Sequence, residues 1–339
     1  MRYPTLLSPI KIRNLELRNR VVFPPCVTNM DDHGDQSREW YAERARGGVG
    51  LVIRQATRTY LFADPSFAEG LRPMVNAVHA AGAAVAIQLI VADQVGEERV
   101  DVSARRGARG VTADEIAAML QQLAQAAEAS KAVGFDAVEP HGAHGFFMNR
   151  FFSPLHNKRT DELGGTLEGR MQFGLRAVAA VREAVGPDFL ILYRHTPLES
   201  AEGGYGIGDS KAFAPEFVKA GVDVLDISPS RTPGGPHAQW AVEIRAAVDV
   251  PVIAVGGMND PAAAEAALRD EKCDLAGIGR GQIADAHWAE KVAAGREGEI
   301  IECTECDEKC YGNLRKGIPI GCAENPESGK EHLVASNPV

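Results

Sequence analysis

No stretch of about 18 consecutive apolar residues exists in this 339-residue chain, so nothing in it reads as a membrane-spanning helix. Positive charge is also in short supply. Lys and Arg number 36 against 46 Asp and Glu, a formal net charge of −10. That argues against nucleic acid as a partner, because its phosphates call for a basic stripe. The opening MRYPTLLSPIKIRN lacks an apolar region followed by a small-residue cleavage site, which predicts no secretory leader and a cytosolic protein. A Gly-x-Gly-x-x-Gly turn after the first apolar run is missing, which counts against a doubly wound open sheet, the runner-up architecture. Cysteine is sparse until the tail, where four of the six fall between Cys303 and Cys322. In a reducing compartment such a cluster points to metal rather than disulfides.

What the chain does have is alternation. Apolar runs predict strands at Val21–Phe23, Val49–Ile53, Val85–Leu89, Ala137–Glu139, Leu190–Tyr193, Val224–Ile227, Val252–Val255 and Leu275–Ile278. Helical stretches separate them. The clearest runs from Thr112 to about Val133, with Thr112 and Glu115 as a capping box and Gly134 as its stop. Ile116, Met119, Leu120, Leu123 and Ala127 recur on one face of it. Strand and helix repeated eight times imply parallel strands with right-handed crossovers, hence an α/β fold of the (β/α)8 TIM-barrel kind. The length and the 45% hydrophobic content suit one such barrel over residues 1–300 and a Cys-rich extension over 301–339.

In a barrel of this kind, side chains at the carboxyl ends of strands face the active-site mouth. The fourth strand is followed by His141 and His144, two imidazoles able to donate paired hydrogen bonds to one oxygen or anion. The first is followed by Pro24, Pro25 and Cys26, a stiff exit with small side chains against which a flat ring could lie. Cys26 reads as a packing residue, since nothing nearby is basic enough to lower its pKa. Gln88 offers a donor and an acceptor to a ring edge. Arg194 sets a fixed positive charge at the end of the fifth strand, where it suits a ligand that gains negative charge, such as a reduced flavin. Gly256-Gly257 and Gly279-Arg280 close the last two strands, an arrangement suited to a phosphate. Cys303, Cys306, Cys310 and Cys322 fit either a tetrahedral zinc site or a four-iron cluster, and spacing alone does not choose between them.

These residues carry a resemblance. Over essentially residues 1–300 the chain resembles the old yellow enzyme family of FMN-dependent ene-reductases. The matching segments are Leu17-Arg18-Asn19-Arg20-Val21-Val22, Gln88-Leu89, His141-Gly-Ala-His144-Gly, and Phe152 to Gly165 with Arg170 downstream. Val255-Gly256-Gly257 and Ile278-Gly279-Arg280 complete the set. The four-cysteine tail is similar to that of the subgroup containing 2,4-dienoyl-CoA reductase and trimethylamine dehydrogenase, where the cysteines bind a [4Fe–4S] cluster. The resemblance implies FMN across the barrel mouth, held by Gln88 and Arg194, with Pro25, Cys26 and Ala56 beneath it. Gly256, Gly257, Gly279 and Arg280 would hold its phosphate. His141 and His144 would bind the carbonyl oxygen of a small substrate with an activated C=C bond, and NAD(P)H would be the reductant. It also implies a homo-oligomer.

Three departures qualify this expectation. Phe146 stands where most relatives carry a proton-donating tyrosine, leaving Tyr193 and Tyr205 as conceivable substitutes. Val91-Ala92-Asp93-Gln94 replaces the usual His-x-Gly-Arg, which reshapes the substrate pocket. The nucleotide-binding domains that follow the tail in the large iron–sulfur relatives are not in this sequence, so the expected cluster calls for an external electron partner or a structural role. Two alternatives follow: a flavin and iron–sulfur dehydrogenase (amine demethylation or substrate desaturation), and a flavin-binding sensor or scaffold without turnover.

Overall fold

Short strands of β-branched and small residues close on themselves to make the centre of the molecule. The computed structural model describes residues 2–230 and 238–335. The barrel strands, in chain order, are β1 (Val21–Phe23), β2 (Leu51–Arg58), β3 (Ala84–Ile90), β4 (Ala137–Gly142), β5 (Leu190–His195), β6 (Val224–Ile227), β7 (Val252–Val255) and β8 (Leu275–Gly277). Each pairs in parallel with the next, and β8 pairs with β1 to close the ring. The fold is a (β/α)8 TIM barrel, as the alternation predicts.

Side chains of a strand alternate between its two faces. The inward positions form one aliphatic fill: Val22, Leu51, Ile53, Ala84, Ala86, Ala137, Leu190, Leu192, Val224, Ile253 and Leu275. An antiparallel hairpin, Ile10–Ile12 with Leu15–Leu17, stoppers the end opposite the mouth by adding Ile12 and Leu17 to this cluster. The outward positions meet the surrounding helices in the larger core. Among those helices is Ala113–Ala132, capped as its sequence predicts. Glu115 N donates to Thr112 Oγ1 at 3.3 Å, Thr112 N donates to Glu115 Oε2 at 2.9 Å, and Gly134 takes φ 103°.

Two strand boundaries differ from the sequence reading in ways that matter. β2 runs from Leu51 to Arg58, starting two residues later than expected and ending well past Ile53, with an irregular register against β3 between Arg54 and Thr57. A bulge of this kind re-aims side chains at a barrel rim, and here it brings Ala56 to the mouth. β4 continues through Pro140 to Gly142, so His141 lies within the strand rather than beyond it. The extra length follows from pairing with β5, which locks Arg194 opposite His141.

The tail is tied to the barrel by polar contacts. Asn29 Nδ2 donates to the carbonyls of Leu314 and Ile318, Ile320 N donates to Thr28 O, and Arg44 pairs with Glu331 at 2.8 Å in a buried ion pair. No helix among the described residues is long and apolar enough to cross a membrane.

Candidate functional site

A cavity of about 550 Å3 opens at the carboxyl ends of the strands. Its walls bring together all the residues expected at the mouth: Pro25 and Cys26 after β1, Ala56 on β2, Gln88 on β3, and His141 and His144 on and after β4. Arg194 on β5 borders it too, as do Gly256 and Gly257 after β7 and Gly279 and Arg280 after β8. Gly256 and Gly257 have φ of 104° and 72°, a backbone that only glycine adopts without strain. The turn after β7 therefore needs both.

The histidines are placed by β4 and by the loop it enters. Their rings are 5.4 Å apart and inclined at 67°. His144 adopts φ 59°, held there by a bond from its own N–H to Thr196 Oγ1 at 2.9 Å. Ser228, beyond β6, links the two sides of the site. Its Oγ accepts from Arg194 Nη2 at 2.8 Å and lies 3.0 Å from His144 Nε2. The Ser228 carbonyl lies 3.2 Å from the same Nε2, so that nitrogen has an acceptor beside it as well as a hydroxyl able to take either role. Burial holds His141 well below the ordinary histidine range, with His144 and Arg194 adding to the effect. Burial, then Arg194, brings His144 down to about 3. Both imidazoles are neutral at physiological pH, so each carries a single N–H.

Arg194 is 4% exposed and sits 3.6 Å from Asp226 Oδ2, leaving its Nε without an acceptor. Gln88 Nε2 donates to the buried Glu139 at 2.7 Å. The low-polarity wall around Cys26 pushes its thiol up to about 11, in keeping with a packing role. Arg280, read from sequence as a phosphate ligand, is also engaged by the tail, 3.0 Å from Glu305 and 3.5 Å from Asp307.

These features suit a flat, polar-edged cofactor with a phosphate end. A stiff Pro–Pro wall faces a deep cavity, one polar corner holds an uncommitted guanidinium N–H, and glycines with an arginine stand at the far end.

Neither tyrosine considered as a substitute for Phe146 reaches this cavity. With Arg194 facing inward, strand alternation turns Tyr193 outward, where it packs on Phe213 and Phe217. Tyr205 spends its hydroxyl on Thr196 O and Asn149 Nδ2. Tyr311, from the tail, does border the cavity, together with Leu314 and Ile320. Sequence reasoning missed these three, because nothing in local pattern says that the tail folds back over the mouth. Phe146 lines the cavity 4.9 Å from the His141 ring and is 41% exposed. Asp93, in the altered segment after β3, turns instead to Arg150 at 2.9 Å. None of residues 91–110 borders the cavity.

The segment Phe152 to Gly165 contributes no wall. It is a brace: Asn157 Nδ2 spans Phe151 O and Leu163 O, and Arg170 Nε holds Phe152 O.

Cys303, Cys306, Cys310 and Cys322 surround a second, small cavity. Arg280, Ile283 and Cys310 border both cavities, so the two are adjacent. Among the described residues, however, no three His, Cys, Asp or Glu side chains are arranged to hold a metal ion. The cysteines share a wall without forming a ligand sphere.

A family model described as the NADH:flavin oxidoreductase / NADH oxidase family matches residues 5–299. The chain is 33% identical over 370 residues to an NADH oxidase of Thermoanaerobacter brockii, covering 97% of this chain and 57% of that protein. It is 31% identical over 315 residues to an NADPH dehydrogenase of Geobacillus sp. (strain WCH70), covering 84% and 92% respectively. Among solved structures, 2-naphthoyl-CoA reductase in complex with 2-naphthoyl-CoA superposes with a TM-score of 0.92 at 27% identity, covering 97% of this chain and 58% of that one. The chain thus spans a little over half the length of the first and third of these proteins.

Proposed function

This chain belongs to the NADH:flavin oxidoreductase family of old yellow enzymes, and from that premise we propose that it is an FMN-dependent oxidoreductase that uses NAD(P)H to reduce the C=C bond of α,β-unsaturated carbonyl compounds. The observation that carries the reading is the pair of neutral imidazoles facing one cavity with Arg194 beside them. FMN, when bound, would supply hydride-transfer chemistry between the nicotinamide and the substrate's β-carbon. Gln88 and Arg194 would hold its polar ring edge, Pro25, Cys26 and Ala56 its face, and Gly256, Gly257, Gly279 and Arg280 its phosphate.

The remaining work falls to the chain. His141 and His144 donate to the carbonyl oxygen and stabilise the negative charge that grows there as the β-carbon is reduced. Val27, Phe146, Leu314 and Ile320 give the outer cavity an apolar rim that limits water. The α-carbon needs a proton, and Phe146 has none to give. The Tyr311 phenol borders the cavity and can supply it, as can water.

Phe146→Tyr restores an acid at the position that lacks one. General acids of this kind contribute roughly 10²-fold or more, so enone turnover is expected to rise by about tenfold where protonation limits it. An unchanged rate would mean that Tyr311 or water already delivers the proton.

The direct test uses protein made and kept anaerobically. NADPH or NADH should bleach the flavin absorbance, and cyclohexenone should restore it. No bleaching by either nucleotide sinks the proposal.

A second reading is a flavin and iron–sulfur dehydrogenase that oxidises an amine or desaturates a substrate and passes electrons to an external acceptor. The lack of an acid at Phe146 and the adjacency of the two cavities favour it. Bleaching by a methylated amine, in place of NAD(P)H, would establish it. For the tail, the donor set fits a [4Fe–4S] cluster in kind, with four thiols around one cavity, but the side chains are not gathered as ligands, and the chemistry at the histidines does not depend on it. Iron and sulfide in the anaerobic protein would support the cluster, and zinc in their place would refute it. A barrel over 1–300 with a tail over 301–339, in a cytoplasmic homo-oligomer, belongs to the same reading.

A further inference from the structure

Directly above the aliphatic fill of the barrel lies a polar layer that hydrophobic packing does not require. Inward positions advance by two along each strand. That spacing leads from Ala86 to Gln88 on β3, Ala137 to Glu139 on β4, Leu192 to Arg194 on β5 and Val224 to Asp226 on β6. Glu139 and Asp226 are both 0% exposed. Two carboxyl groups therefore share this layer with a single guanidinium.

The layer's other neighbours bring no compensating charge. His141 and His144 are held neutral, Cys26 is a thiol, and the corresponding positions on β7 and β8 are Val255 and Gly277. Arg194, 3.6 Å from Asp226, offsets one carboxylate. A second ionised carboxylate would stand uncompensated in a dry interior, where an unpaired charge is strongly disfavoured.

Hydrogen bonding points the same way. Glu139 Oε1 accepts from Gln88 Nε2 at 2.7 Å. Glu139 Oε2 and both oxygens of Asp226 are buried with no donor from the described protein, and the two carboxyl groups lie within hydrogen-bonding reach of each other. One proton between them removes the excess charge and supplies the missing donor.

We propose that Glu139 carries a proton shared with Asp226, and that Glu139 is a positioning residue that keeps the floor of the cofactor cavity neutral and fixes the amide of Gln88. Burial, and then Asp226, hold the Glu139 carboxyl well above the ordinary carboxylate range, while burial also raises Asp226 against the opposing pull of Arg194. With Glu139 neutral, Arg194 and Asp226 balance, and charge gained by a ligand beside Arg194 meets no net negative floor. With Gln88 Nε2 committed to Glu139, the Gln88 carbonyl oxygen is turned away from Glu139 and is available as an acceptor. The proposal deepens the flavin reading and, for its ligand-binding consequence, rests on it.

The test has two parts. The first is infrared spectroscopy of the flavin-free protein at neutral pH, in H2O and D2O. Wild type should show the C=O stretch of a protonated carboxylic acid, shifted in D2O, and Glu139→Gln should lack it. No such band in wild type, or an unchanged band in E139Q, overturns the shared proton. The second is titration of the same proteins with FMN, read by quenching of its fluorescence. Glu139→Ala, which removes the acceptor for Gln88 and leaves Asp226 ionised without a donor, should bind about tenfold more weakly, equivalent to about 1.4 kcal/mol. E139Q retains a neutral donor toward Asp226 and an acceptor for Gln88, and should recover most of the loss. E139A binding as tightly as wild type overturns the positioning role, as does E139Q binding no better than E139A. Because the infrared band is read without flavin, its presence together with failure of wild type to bind FMN would defeat the cofactor reading and not the shared proton.

Discussion

His144→Ala is expected to lower kcat/KM for enone reduction by about 10²-fold, the usual effect of removing one well-placed donor to a developing oxyanion. His141→Ala should cost a similar factor. The informative measurement is the double variant. If both imidazoles serve one oxygen, the second loss adds less than the first, because groups that act as a unit are not additive. His144 is additionally anchored through Ser228, which also holds Arg194. Its replacement therefore frees a hydroxyl next to the guanidinium. Losses under about twofold in both single variants would remove the histidines from the mechanism, since that is below what a single neutral hydrogen bond contributes.

The second large expectation concerns acid stability. His141, His144 and His195 are buried and held neutral, His144 and His195 down to about 3 in each case chiefly by burial. Their folded pKa values lie below the unfolded value of about 6.5, so the unfolded chain gains three protons that the folded one refuses as pH falls past that value. One proton is already present on Glu139 in the folded state, since its pKa is raised, and it reduces the difference to two. Each proton is worth about 1.4 kcal/mol per pH unit, so unfolding free energy should drop by about 3 kcal/mol per unit between pH 6 and 5. His287, whose pKa is raised by Glu43, is protonated in both states at that pH and drops out. Above pH 6.5 the signs reverse. The Glu139 proton and the His287 charge favour the folded state only while they are retained, so their contribution declines as pH rises through their folded values. Stability should therefore peak near neutrality. Urea titrations at a series of pH values measure this slope. His195→Phe, which suits the aromatic neighbours Phe152 and Phe213, should reduce it by about one proton. A slope unchanged in that variant would assign the acid limb to other groups.

The tail and the barrel mouth are linked more closely than a simple appendage would be. Arg280 borders the main cavity and also meets the carboxylates of Glu305 and Asp307, while Tyr311, Leu314 and Ile320 line the same cavity. Changes in the cysteine segment therefore act on the cavity through packing and charge, whatever the cysteines bind.

The sequence by itself determined the strand and helix order and, through it, the barrel. Both are local matters: apolar runs bounded by turn residues, a threonine–glutamate cap, a glycine where φ must be positive. It also determined which chemistry stands at the mouth, since in a parallel barrel every residue at a strand's carboxyl end is delivered to the same face. Tertiary structure decided the rest. Closure and register set which alternate residues point inward, and so turned Arg194 toward the cavity and Tyr193 away from it. The irregular pairing of β2 with β3 brought Ala56 to the rim. Only the closed ring put Glu139 against Asp226, and only the docked tail brought Tyr311 to the cavity. Those contacts join segments far apart in the chain, and their energies come from burial and charge compensation in the assembled interior, which no local propensity encodes.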